Sequence, residues 1–174
     1  MLTVGHSNHS FEQFLEILRG HGVSLLVDVR TMPRSRHNPQ FNRETLPQML
    51  AARGVAYEHL PGLGGLRHAR KDSVNTCWRN ASFQGYADYM QTEEFARNLA
   101  ALCELETGQT TAIMCAEAVP WRCHRSLVAD ALSVRSVPVV EILSESSYRM
   151  HELTRFAQME GARITYPPEQ AALF

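Results

Sequence analysis

The chain lacks a Cys-x-x-C pair: its four cysteines, Cys77, Cys103, Cys115 and Cys123, are spaced outside every compact zinc pattern. Reduced thiols in the cytoplasm are therefore expected. The chain also lacks net charge, at −1, which excludes a protein that coats nucleic acid by bulk attraction; any such contact would need a local basic patch. No apolar run exceeds strand length, so no membrane span is expected. The opening Met1-Leu-Thr-Val-Gly5 has no basic stretch leading into a long apolar one, so no signal peptide is expected either. Internal repeats and dividing linkers are missing. The expected organisation is one α/β domain over residues 1–166 followed by a tail, 167–174.

What is present is alternation. With 174 residues and 44% apolar content, the chain can bury about 70% of the surface of its unfolded form. Residues 2–4 read as a strand, and Ser10 with Gln13 as a capping box for a helix carrying Phe11, Phe14, Leu15 and Leu18 on one face. Residues 25–29, Leu-Leu-Val-Asp-Val, are almost continuously apolar, as in a strand covered on both faces. Thr45 and Gln48 suggest a second capping box for a helix ending near Gly54, and 55–60 a third strand. An irregular stretch, 61–84, precedes a helix over 85–106. A strand over 110–115, a helix over 125–132, a strand over 137–143, a helix over 147–159 and an extended stretch over 163–166 follow. Repeated strand–helix–strand units imply a mostly parallel sheet with helices on both faces, a three-layer α/β fold.

In such sheets ligands bind beyond the carboxyl ends of the strands, and here those segments carry the chemistry. They present His6 and Ser7, then Arg30, Arg34 and Arg36, then Arg67, and finally the run Cys115-Ala-Glu117 to Trp121-Arg122-Cys123-His124-Arg125. The last loop leads from a strand end into a helix start, where free backbone N–H groups and a partial positive charge favour anions. Ser7, Arg30, Arg34, Arg36, Arg67, Arg122 and Arg125 are the candidate anion ligands, because guanidinium offers bidentate donors to phosphate or sulfate. Cys115, Glu117, His124 and His6 are the candidate catalytic groups, with Cys123 a second thiol in the same field. Cys115, Cys123, His124 and a histidine such as His6 are an alternative metal-ligand set, although the spacing demands no metal and no cofactor is required.

Val4-Gly-His-Ser7, Val27-Asp-Val-Arg30, Asn38-Pro-Gln-Phe41, Leu60-Pro-Gly-Leu-Gly-Gly65, Cys115-Ala-Glu117 and Cys123-His-Arg125 together resemble the family catalogued as domain of unknown function 488 (DUF488). The resemblance runs through nearly the whole chain and implies an α/β domain of bacterial or archaeal type, without supplying a reaction. A looser similarity links the strand ending in Asp-Val-Arg and the cysteine loop feeding a helix to the rhodanese sulfurtransferases. It implies sulfur-transfer or other thiol chemistry at Cys115 as an alternative. The six residues between Cys115 and Arg122 contain no glycine, a departure from loops that converge backbone amides on an oxyanion.

The end of the chain, Gln170-Ala-Ala-Leu173-Phe174 after two prolines, resembles the peptide by which bacterial replication and repair proteins dock on the sliding clamp. Leu173 and Phe174 would fill an apolar pocket and Gln170 would make polar contacts. The tail makes DNA or a nucleotide the expected ligand, with Trp78, Phe83 and Tyr86 available for stacking. The leading expectation is thus an enzyme acting on a phosphate-bearing substrate. The alternative of a different class is a non-catalytic nucleic-acid-binding protein tethered to the clamp.

Overall fold

The apolar runs do form strands buried on both sides. In the computed structural model, which describes residues 1–168, β1 (Leu2–Gly5), β2 (Leu25–Asp28), β3 (Ala56–His59), β4 (Thr111–Cys115) and β5 (Val140–Ile142) run parallel, and β6 (Tyr148–Met150) adds an antiparallel edge. The order across the sheet is β3-β2-β4-β1-β5-β6, with β4 inserted between the first two strands. A separate hairpin pairs β7 (Gln158–Glu160) with β8 (Arg163–Thr165).

Side chains alternate across the pleat and so divide between two cores. Leu26, Ala112, Met114 and Val4 face the layer holding α1 (Phe11–Gly20) and α2 (Leu46–Ala51), where Phe14, Leu18, Leu46 and Leu50 are buried. Leu25, Val27 and Ile113 face the opposite layer, formed by α3 (Ala81–Tyr89), α4 (Glu93–Leu105) and α5 (Arg125–Ser133), which buries Tyr86, Phe95, Leu99 and Leu127. This is the expected three-layer arrangement. Registers of Gly5 with Cys115 and of Asp28 with Met114 and His59 bring the ends of β1 to β4 to one edge. The loops after all four strands therefore meet there.

Three local expectations are corrected. Residues 147–159 are not a helix: Tyr148–Met150 pairs with β5, and Arg149 and His151 bond to the buried carboxylate of Glu141. Polar partners on the sheet outweigh a weak helical pattern there. The helix expected over 85–106 is two, because Thr92 accepts from the Phe95 N–H and caps α4. The capping box of Ser10 and Gln13 forms, whereas Thr45 makes no side-chain cap bond. No helix among the described residues is long and apolar enough to cross a membrane. Gln170, Leu173 and Phe174 lie outside the described residues.

Candidate functional site

The loop from β4 to α5 is built as a closed ring. A 3-10 turn, Pro120–Arg122, reverses the chain and returns Cys123 and His124 beside Cys115. Arg125, 1% exposed, sits underneath and donates from Nη1 to Thr3 Oγ1 at 2.7 Å and from Nη2 to the Glu117 carbonyl at 2.7 Å. Arg125 is thus a strut of the loop, not a free anion ligand. The start of α5 is likewise occupied: the N–H groups of Ser126 and Leu127 bond to the carbonyls of Cys123 and His124.

The convergence inside the ring is the central feature of the site. The two sulfurs and a ring nitrogen of His124 lie within 4.8 Å of one another. His124 Nδ1 is 3.9 Å from Cys115 Sγ and 3.7 Å from Cys123 Sγ, and both cysteines are reduced and buried. The thiols divide their roles. Contact with the Cys123 sulfur and burial push Cys115 up, while contact with Cys115, aided by His124 and Arg125, pulls Cys123 down. Within the pair, Cys123 is the thiol held down and Cys115 the one held up. Three members of the alternative ligand set read from the sequence, Cys115, Cys123 and His124, meet through the Pro120 turn, and His6 is not among the grouped atoms. Gly65 permits this meeting from the other side: a Cβ there would come within 2.5 Å of His124 Nδ1.

His6 stands apart from the thiols. Arg30 holds Asp28 bidentately, Nε to Oδ1 at 2.8 Å and Nη2 to Oδ2 at 2.6 Å, and its Nη2 also donates to the Phe41 carbonyl. Its Nη1 lies 3.1 Å from His6 Nε2. A guanidinium only donates, so Nε2 accepts and the proton sits on Nδ1, which donates to the Ser7 carbonyl at 2.8 Å. Burial, with the charge of Arg30, pushes His6 down to about 4, so it is neutral at pH 7. Both ring nitrogens are engaged and the ring stacks on Phe41 with centroids 4.2 Å apart. His6 and Arg30 are framework groups at the edge of the site. Arg67 is also turned inward, bonding the Gly62 and Gly64 carbonyls and lying over the Tyr89 ring.

Four arginines along the strand ends differ from these. Among the described residues, no hydrogen bond or ion pair occupies the guanidinium groups of Arg34, Arg36, Arg79 or Arg122, all exposed. They border one groove along the strand ends. Its middle, a cavity of about 460 Å³, is lined by Cys115, Cys123, His124, Glu117 and Arg122, with Asn80 and Ser82 from the start of α3. A hollow of about 400 Å³ continues past Glu117 to Ser7 and Arg34, and a further one of about 720 Å³ holds Arg34 and Arg36. In the other direction a hollow of about 610 Å³ leads past Arg122 to Arg79 and Trp121. Trp121 is 55% exposed. Trp78 instead stacks on Phe83 and meets Phe156 and Tyr166, and Tyr86 is fully buried with its hydroxyl on the Leu63 carbonyl. Sequence reasoning missed Arg79, Asn80 and Ser82, which reach the groove only through packing.

The family model described as Domain of unknown function DUF488 matches residues 10–132. That span runs from the cap of α1 into α5 and includes the cysteine–histidine ring. No curated protein matches, and no solved structure matches.

Proposed function

The chain belongs to the DUF488 family, and we propose that it is an enzyme acting on a phosphate-bearing substrate, a nucleotide or a single nucleic-acid strand, laid along this groove. The observation that carries the reading is the placement of unpaired guanidinium groups on both sides of the Cys115–Cys123–His124 cluster, Arg34 and Arg36 to one side, Arg79 and Arg122 to the other. A small anion would be served by one such group. Positive charge spread along a groove suits a ligand with several phosphates. Trp121 beside Arg122 is 55% exposed, and with the Arg149 guanidinium over its ring at 4.9 Å a base would stack on the opposite face. Glu117 reaches both the central cavity and the hollow beside it, and it is the carboxylate placed to move a proton at a bound substrate. Arg30, Arg125 and His6 serve by fixing the loop ends.

Binding of a fluorescently labelled single-stranded oligonucleotide, followed by anisotropy at several salt concentrations, tests the reading. Affinity that falls steeply with salt and weakens on Arg122→Gln supports it, with Glu117→Gln retaining binding and losing turnover of the bound strand or nucleotide. Salt-insensitive or absent binding overturns it. Binding without turnover leaves the non-catalytic alternative standing.

A further inference from the structure

We propose that Cys115, Cys123 and His124 form a site for a single thiophilic divalent cation, zinc by its ligand set, with a coordination position open to the groove. Two sulfurs and one imidazole nitrogen select zinc over the oxygen-preferring magnesium and calcium. The spacing fits as well. Tetrahedral zinc with ordinary Zn–S and Zn–N bonds sets sulfur and nitrogen ligands about 3.6 Å apart. The sulfur–nitrogen separations here are 3.7 and 3.9 Å, and all three ligand atoms lie within 4.8 Å. The sulfur–nitrogen pairs are within a few tenths of an ångström of that spacing, and the two sulfurs, within 4.8 Å of each other, must close to about 3.8 Å through side-chain rotation.

The supporting frame is rigid where a metal site needs it to be. Cys115 ends the central strand β4, and Cys123 and His124 immediately precede α5. The chain between them is tied by Arg125 to the Glu117 carbonyl. His124 Nε2 is buried with no protein partner, so no hydrogen bond claims the tautomer that would leave the Nδ1 lone pair free for a metal. Charge also balances. Two thiolates neutralise a dication. The fourth side opens on the cavity of about 460 Å³ beside Glu117 and Arg122. Three protein ligands with an open position is the layout of reactive rather than purely structural zinc. Binding forms two Zn–S bonds and one Zn–N bond, and any thiol protons leave to solvent.

The inference stands without the nucleic-acid reading, and its test uses the intact chain alone. Equilibrium dialysis against zinc is expected to show one ion per chain, retained in Cys77→Ser and Cys103→Ser and lost in Cys115→Ser and Cys123→Ser. Loading the unaltered chain with cobalt(II) gives a readout free of any folding defect: thiolate-to-cobalt charge-transfer absorption together with the visible bands of tetrahedral cobalt. A chain that takes up no stoichiometric zinc, or cobalt without thiolate absorption, overturns the site. So does uptake unchanged by Cys123→Ser. A chain that binds zinc but no oligonucleotide overturns the groove reading alone, and the converse result overturns the metal site alone.

Discussion

Arg125 reaches back under its own loop and donates to the main-chain carbonyl of Glu117 at 2.7 Å, eight positions earlier in the chain. This bond makes a ring of the segment from Glu117 to Arg125, which carries Cys123 and His124 and begins two residues after Cys115. Replacing Arg125 with Met leaves the Glu117 carbonyl and the Thr3 hydroxyl without their charged donor, at a cost of about 2 kcal/mol. Urea unfolding is expected to show that loss. An unchanged or higher midpoint would mean that desolvation of the buried guanidinium outweighs both bonds.

The same ring predicts intolerance at two glycines. A Cβ at Gly5 would sit 1.9 Å from the Glu117 oxygen, and one at Gly65 would sit 2.5 Å from His124 Nδ1. Neither obstacle is a flexible chain end. Gly5→Ala must displace the loop backbone, and thermal unfolding should show a clear drop. Gly65→Ala pushes on the imidazole, so the thermal midpoint should fall less and zinc or cobalt uptake should fall more. Wild-type behaviour in both variants would contradict the tight packing of these loops against the cluster.

Asp28 is fully buried and holds Arg30 through both oxygens while accepting from the Tyr57 hydroxyl at 2.8 Å. Asp28→Asn keeps the shape but leaves a buried guanidinium uncompensated. Removing one partner of such a pair costs about 3–5 kcal/mol. Chemical denaturation should register it, and a loss under about 1 kcal/mol would show that water reaches the pair.

The sheet was legible because each central strand is a short apolar run bounded by turn residues, and β2 reads Leu-Leu-Val-Asp with every residue buried. A parallel sheet then puts all four loops on one edge, whatever the details of the helices. What could not be read was the partner of each cation. Arg30, Arg67 and Arg125 look like Arg122 in sequence, yet their partners are Asp28 and two sets of carbonyl oxygens that only folding supplies. The same limit hid the segment after β5. Its place on the sheet is set by the buried carboxylates of Glu141 and Asp130, which no periodicity in 147–159 announces.

His151 bonds Asp130 through Nε2 and Glu141 through Nδ1, each at 2.8 Å, so the ring donates from both nitrogens and is charged. Burial alone would lower its pKa, but the bonds and charges of Asp130 and Glu141 together raise it to about 9. The folded value lies above the unfolded 6.5, so the stabilisation is complete below that pH and is lost as pH rises through about 9. The span corresponds to on the order of 3 kcal/mol. Urea unfolding between pH 6 and 10, chosen on the unfolded reference for histidine at about 6.5, should show this alkaline decline. His151→Gln should be less stable at neutral pH and lack the decline. A decline of equal size in the variant would place its origin elsewhere.

The free guanidinium groups give the groove a quantitative signature. Each phosphate contact to a single strand contributes about 0.7 to the slope of log affinity against log salt, because counterions are released. Arg34→Gln, Arg36→Gln and Arg122→Gln should each lower that slope by about this amount, and the triple variant by about three times as much. Arg53 provides the control, since it is exposed and lies between α2 and the start of β3, at the opposite edge of the sheet. If Arg53→Gln changes the slope as much as the groove variants do, attraction is diffuse and the groove is not the path. If Arg122 alone carries the effect, the ligand is a single phosphate group held over the cysteine–histidine cluster, and a mononucleotide replaces the strand as the substrate to pursue.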